Sequence, residues 1–229
     1  AFDVGVIGEG EETLKELIST LESKEDLSKV NGIVFRSNGE IKITEPRELI
    51  QDIDSLPYPA WDLLPALSKS YRPAIVRYKK LPSTTLVTSR GCTKSCAFCA
   101  KKVFGSKYRI HSSEYVLNMI RYLKENYGIV DIYFFDDDFT ISKKRLIEIC
   151  DGLKDKRYKI SWCCQAHINS VDYDTLKMMK DAGCWKINFG IETASDDILK
   201  RMNKQITVEQ VKKALYEAKR AGLDVEGYF

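Results

Sequence analysis

Residues 84–99 read Thr-Thr-Leu-Val-Thr-Ser-Arg-Gly-Cys-Thr-Lys-Ser-Cys-Ala-Phe-Cys. The first five are β-branched or apolar and predict a strand. A loop with three cysteines follows directly. Outward from this point, strand and helix signals alternate. A helix carries Val116, Ile120 and Leu123 on one face. A second strand, 131–135, ends in Asp136-Asp137-Asp138. A second helix carries Leu146, Ile149, Cys150 and Leu153, and a third strand spans 160–165. A third helix carries Leu176 and Met179 and stops at Gly183; the strand 186–191 then leads to Glu192. A fourth helix opens with a capping box, Thr207 to Gln210, and buries Val211, Ala214, Leu215 and Ala218 before Gly222. A fifth strand, 224–229, follows.

This alternation predicts an α/β fold, a parallel sheet covered by helices. Periodicity leaves open whether the sheet is doubly wound or part of a TIM-like (β/α) barrel. In both, function collects at the carboxyl ends of the strands. The cysteine loop, the acidic triplet and Glu192 all occupy such ends.

Before residue 84 the pattern changes. Residues 3–7 predict a short buried strand, and Leu14, Leu17, Ile18 and Leu21 share one helix face. Residues 31–44 predict a hairpin around Asn38-Gly39. A proline-rich stretch, with Leu56-Pro57-Tyr58-Pro59-Ala60-Trp61, predicts a linker whose aromatics pack on a neighbour. The expected organisation is therefore 1–29, 30–83 and 84–229.

The chain has 229 residues, 44% hydrophobic and 30% charged, as in ordinary soluble proteins. No run approaches the roughly 20 apolar residues of a membrane span. The start lacks a signal peptide, so the expected location is cytoplasmic. The net charge of +3 is spread over many helix faces, which argues against nucleic acid as a partner. Seven cysteines, an odd number, argue against a disulfide framework.

Cys92, Cys96 and Cys99 have the spacing Cys-x3-Cys-x2-Cys. Thiolates suit iron–sulfur clusters or zinc. Three of them can hold three corners of a cubane. No fourth cysteine follows, because the next residues are Ala100, Lys101, Lys102 and Val103. One iron would then stay open to a ligand. Spacing alone also permits a zinc staple, with His111 as fourth ligand, in a non-enzymatic binding module. Gly8-x-Gly10 is a weak nucleotide signal: Thr13 replaces the third glycine, and Glu9 and Glu11 would repel phosphate. Cys163 and Cys164, adjacent on a strand, point to opposite faces and are expected to be buried, as are Cys150 and Cys184.

The cysteine spacing after a first strand, with an aromatic at Phe98, resembles the radical S-adenosylmethionine enzymes. The resemblance covers 84–229. Gly8-Glu9-Gly10-Glu11, the Leu-Pro-Tyr-Pro-Ala segment, Ser89-Arg90-Gly91-Cys92, the acidic run and Gly190-Ile191-Glu192-Thr193 occur in an order similar to the cobalamin-binding branch. The resemblance implies a partial barrel preceded by the tail of a Rossmann-like cobalamin-binding domain. It implies a [4Fe–4S] cluster on the three cysteines and S-adenosylmethionine as cofactor. Phe98 would pack near the adenine, Asp136 and Asp137 would meet the amino group, and Glu192 would take the ribose. Reductive cleavage would yield a 5′-deoxyadenosyl radical, for methyl transfer, ring formation or rearrangement at an unreactive carbon. The implied partners are a small-molecule or peptide substrate and an electron donor such as flavodoxin or ferredoxin. The motif that grips cobalt from below is not in this chain, so cobalamin would be held mainly elsewhere. His167 and His111 stand where the family often has basic residues, and neither is expected to act as a catalytic base.

The family barrel usually has six strands, and five are found here. We therefore expect this stretch alone to bind S-adenosylmethionine weakly. Calorimetric titration checks this, and tight binding would refute it.

Overall fold

The computed structural model describes residues 2–71, 73–101 and 103–229. An N-terminal module contains β1 (Val4–Val6), α1 (Glu11–Glu22), β2 (Ile33–Ser37) and β3 (Glu40–Ile43). The three strands form one antiparallel sheet in the order β1-β2-β3. Asn38 and Gly39 turn the hairpin with φ of 51° and 84°, the pair of positive angles that a type I′ turn requires. The β1–β2 pairing joins residues on both sides of position 29.

This module has a small core of Leu17, Val30, Ile33 and Phe35. Two expectations change here. β1 is only partly buried, since α1 covers the sheet narrowly. Leu17 is buried, but Leu14, Ile18 and Leu21 remain about half exposed. The proline-rich stretch behaves as expected. It includes the short helix α2 (Leu67–Ser70), and Trp61 and Leu67 are buried in the main core.

The remaining elements are β4 (Ser83–Leu86), β5 (Ser89–Arg90), β6 (Arg109–Ile110), α3 (Ser113–Tyr127), β7 (Asp131–Phe134), α4 (Lys143–Leu153), β8 (Ser161–Ala166), α5 (Tyr173–Asp181), β9 (Cys184–Gly190), α6 (Asp196–Arg201), α7 (Val208–Arg220) and β10 (Asp224–Tyr228). Tyr58, from the proline-rich stretch, meets Tyr115 of α3 edge-on at 5.0 Å. Five strands form a parallel sheet in the order β4-β7-β8-β9-β10. Spatial order follows chain order without reversal. A doubly wound sheet needs a reversal, so this is an arc of a (β/α) barrel. The arc is open, with β4 and β10 at its edges. Among the described residues no helix is long and apolar enough to cross a membrane.

Side-chain alternation sorts the sheet into two faces. Ile132, Phe134, Trp162, Cys164, Ala166, Ile187 and Phe189 join the core beneath the helices. The helices meet them with Val116, Ile120 and Leu123 of α3, Leu146 and Ile149 of α4, and Leu176 and Met179 of α5. The inner face carries polar groups instead. There Arg77 donates to the hydroxyl of Tyr133 at 3.0 Å and also to that of Tyr228. Gln165 donates to Tyr133 at 2.9 Å, and Lys186 pairs with Glu226 at 2.7 Å. Cys163 lies outside the apolar cluster and Cys164 within it, and both are buried, as are Cys150 and Cys184.

Several elements differ from the sequence reading, among them the β5–β6 ribbon, which it did not foresee. β4 stops at Leu86 because the Thr88 backbone turns to donate to Asp136. α6 was not foreseen: it is six residues long and buries a single apolar residue, Leu199, too short for a periodic signal.

Phe139 stacks on Phe134 with centroids 4.3 Å apart, and its N–H donates to the Gln165 carbonyl at 3.0 Å. It anchors the loop that follows the acidic triplet. Phe139→Ala should cost about 3–5 kcal/mol, measured by urea unfolding.

Candidate active site

At the carboxyl ends of the strands lies a cavity of about 250 Å³. Each strand contributes to its wall. The loop after β4 and β5 brings Cys92, Lys94, Cys96, Phe98 and Cys99; β7 leads to Asp137 and Asp138. β8 brings Gln165, Ala166 and His167, β9 brings Asn188, Gly190 and Glu192, and β10 brings Tyr228. Lys204 closes the wall from the turn after α6.

The cysteine loop runs between β5 and β6 and is held both from outside and from within. Ala97 N–H donates to the Met202 carbonyl at 2.8 Å. Asn203 donates to the Ser95 carbonyl at 2.9 Å and to its hydroxyl at 2.8 Å. Lys101 donates to the Cys92 carbonyl at 3.1 Å. The turn 202–205 thus clamps the loop. The sequence reading missed Asn203 and Lys204, because a polar turn after an unrecognised helix carries no distinctive signal.

All three thiols are free and line the same cavity. Among the described residues no three His, Cys, Asp or Glu side chains converge as ligands of one metal ion. A zinc staple needs that convergence. A cubane gives each thiolate a different iron. His111 does not line that cavity. Its Nδ1 lies 2.9 Å from Asp54, its ring stacks on Tyr115 at 4.1 Å, and it lines a separate cleft of about 880 Å³. The possible Cys3His site is therefore not assembled.

The acidic residues divide differently from the expectation. Asp136 is turned away from the cavity and is only 1% exposed. Its carboxylate accepts from Thr88 N–H at 2.9 Å, from the Thr88 hydroxyl at 3.0 Å, and from the Ser89 hydroxyl. Burial pushes its carboxyl pKa up, against the pull of the Arg145 guanidinium. Strand alternation explains the difference between the two, since Asp136 follows the face opposite to Asp137. Asp138 is buried and accepts from Thr140 and Ser170. Asp137 is exposed at the cavity.

Glu192 lines the cavity and is also paired. Its Oε1 lies 2.7 Å from the Lys204 ammonium. Its φ is 66°, an uncommon value for a side chain of this size. Gly190 makes room for the pair: a Cβ there would meet Glu192 Oε1 at 2.7 Å and Lys204 Nζ at 2.8 Å. Phe98 lies below the same ammonium, 5.7 Å from ring centroid to nitrogen.

Two further polar groups face the cavity without partners. Asn188 is fully buried, and neither its Nδ2 nor its Oδ1 makes a hydrogen bond. His167 accepts from Asn169 N–H through Nδ1 at 3.2 Å, so the neutral ring carries its proton on Nε2, which makes no hydrogen bond among the described residues. Buried groups of this kind call for a polar ligand. Asn188 was legible in principle, since Lys186 and Asn188 alternate with Ile187 and Phe189.

Residues 86–229 match the profile of the radical SAM superfamily. The chain belongs to this superfamily. It is 39% identical, over its whole length, to an uncharacterized methyltransferase of Pyrococcus horikoshii, and covers 48% of that protein. It is 31% identical, again over its whole length, to an anaerobic magnesium-protoporphyrin IX monomethyl ester cyclase of Cereibacter sphaeroides, covering 37% of it. Among solved structures it is similar to the cobalamin-dependent S-adenosylmethionine radical enzyme OxsB with aqua-cobalamin bound. There the TM-score is 0.79 at 30% identity, over 96% of this chain and 32% of that one. The chain thus spans less than half of each of these radical SAM relatives. The superfamily's cofactors are a [4Fe–4S] cluster and S-adenosylmethionine, and the donors around this cavity fit both.

The two histidines set an acid limit. Burial lowers the pKa of His167, with the positive charge of Lys94 adding to it. Burial also lowers that of His111, outweighing the pull of Asp54. Both rings are therefore neutral when folded at pH 7. Their contribution to stability is complete above the unfolded value of about 6.5 and is lost as pH falls through the lower folded values. Urea unfolding should give lower stability at pH 5.5 than at pH 7.5. His167→Gln should reduce that difference.

Proposed function

We propose that this chain forms the S-adenosylmethionine-cleaving core of a radical enzyme, with Cys92, Cys96 and Cys99 ligating a [4Fe–4S] cluster. The observation that carries this reading is one cavity. It combines three free thiols with Phe98, Asp137, Glu192 and the unpartnered groups of Asn188 and His167. The other four cysteines are buried away from that cavity wall, which leaves one iron without a protein thiolate. When bound, the cluster supplies the electron that splits S-adenosylmethionine into methionine and a 5′-deoxyadenosyl radical.

In this reading the chain's residues orient the cofactor and exclude water. Asp137 accepts hydrogen bonds from the amino group. Glu192, held by Lys204, accepts from the ribose hydroxyls, and Phe98 covers the adenine. Asp136 has a supporting task, fixing the loop and β7 together. Arg77, Tyr133 and Tyr228 close the inner face from below.

The names of the relatives support either methyl transfer or ring-forming chemistry on a small molecule or peptide. Cobalamin, bound in OxsB, would be held mainly by residues outside these 229. A flavodoxin- or ferredoxin-like donor would supply the electron. Free thiols suit the reducing cytoplasm.

The test uses the full-length protein, reconstituted with iron and sulfide without oxygen. It should turn brown and, with reductant and S-adenosylmethionine, release 5′-deoxyadenosine. Alanine at any of the three cysteines should abolish both. Asp137→Asn should weaken S-adenosylmethionine binding roughly tenfold, with little change in stability. A colourless zinc protein that makes no 5′-deoxyadenosine would overturn the reading.

A further inference from the structure

The Gly8-Glu9-Gly10-Glu11 turn is no nucleotide site, yet it is tightly engaged. The Glu9 carboxylate accepts from Arg109 Nη1 at 2.8 Å through both oxygens, from Arg90 Nη1 at 2.9 Å, and from Ile50 N–H at 2.7 Å. The side chains of Glu9 and Arg109 are 4% and 3% exposed. Glu11 accepts from the second Arg90 nitrogen. Burial raises the Glu9 pKa, but the arginine hydrogen bonds outweigh it and bring it below the ordinary value.

Arg90 and Arg109 are not arbitrary arginines. They stand directly opposite each other in the β5–β6 ribbon. That ribbon is the neck of the loop holding Cys92, Cys96 and Cys99. Like charges directly opposite on paired strands repel. Here both guanidinium groups are largely withdrawn from water, which weakens screening. The neck is also tight: Gly91 has φ of 81°, and a Cβ there would strike the Lys107 carbonyl. Glu9 supplies the negative charge between the two arginines, and it arrives from the N-terminal module.

We propose that Glu9 is a positioning residue for the cluster loop: it holds Arg90 and Arg109 together and so keeps the neck of that loop closed. The inference rests on the cluster reading of the three cysteines. It assigns the Gly-Glu-Gly-Glu turn a mechanical role, by which the N-terminal module sets the register of the thiols.

The test compares full-length wild type with Glu9→Gln, Glu11→Gln and the double variant Glu9→Gln/Arg90→Gln. In the metal-free proteins, trypsin cleavage at Lys94, Lys101 and Lys107 is followed by mass spectrometry. Glu9→Gln should speed it roughly tenfold. Glu11→Gln, whose carboxylate is more exposed, should stay near wild type. The double variant should return towards wild type, because the opposed charges are gone. After anaerobic reconstitution, Glu9→Gln should hold less iron and give an altered electron paramagnetic resonance signal, and the double variant should recover both. Wild-type cleavage in Glu9→Gln would overturn the inference. So would a double variant no better than the single, including one that loses its circular dichroism. A wild type that takes up no iron would sink the cluster reading instead, while the cleavage comparison still decides the role of Glu9.

Discussion

The buried carboxylate of Asp136 organises the site. It gathers the Thr88 N–H, the Thr88 hydroxyl and the Ser89 hydroxyl at the point where β4 gives way to β5. Arg145, on α4, donates to the Thr88 and His111 carbonyls at 3.1 and 2.8 Å. Four elements are thereby joined by the hydrogen bonds of Asp136 and Arg145: the end of β4, the β5–β6 ribbon, β7 and α4. The cost of burying these charges is offset only because nearly every polar atom has a partner. The cysteine loop departs from this junction, so its direction is set there rather than within the loop.

Much of the architecture was legible because helix and strand periods are strong in this chain. Apolar residues at helical spacing marked α3, α4, α5 and α7, and Thr207 with Gln210 forms the capping box. What the pattern left open was the arrangement of the sheet. Strand order is a long-range property, set by which edges meet, and no local period encodes it. The N-terminal helix misled for a related reason. Its apolar stripe is real, but how much of a stripe is covered depends on the partner surface, and the three-stranded sheet is narrow.

The site was legible in part. The thiols, Asp137 and Glu192 meet at one cavity, as their strand-end positions implied. Asp136 looked equivalent to Asp137, yet one residue along an extended chain reverses the side chain's direction. Asn203 and Lys204 carried no signal, because their roles come from a turn folding back on a loop more than 100 residues earlier. Glu192 has two sets of neighbours. It faces the cavity and is also paired with a buried lysine.

The strict succession of strands has a metric consequence. Neighbouring strands lie about 4.8 Å apart, so each unit moves the next strand end by a fixed step. Phe134, Cys164 and Ile187 mark three successive graduations. Two steps span about 10 Å along the sheet. The sheet is therefore a ruler. A ligand laid across it is measured by the hydrogen-bond spacing of the backbone, which side-chain substitutions leave unchanged.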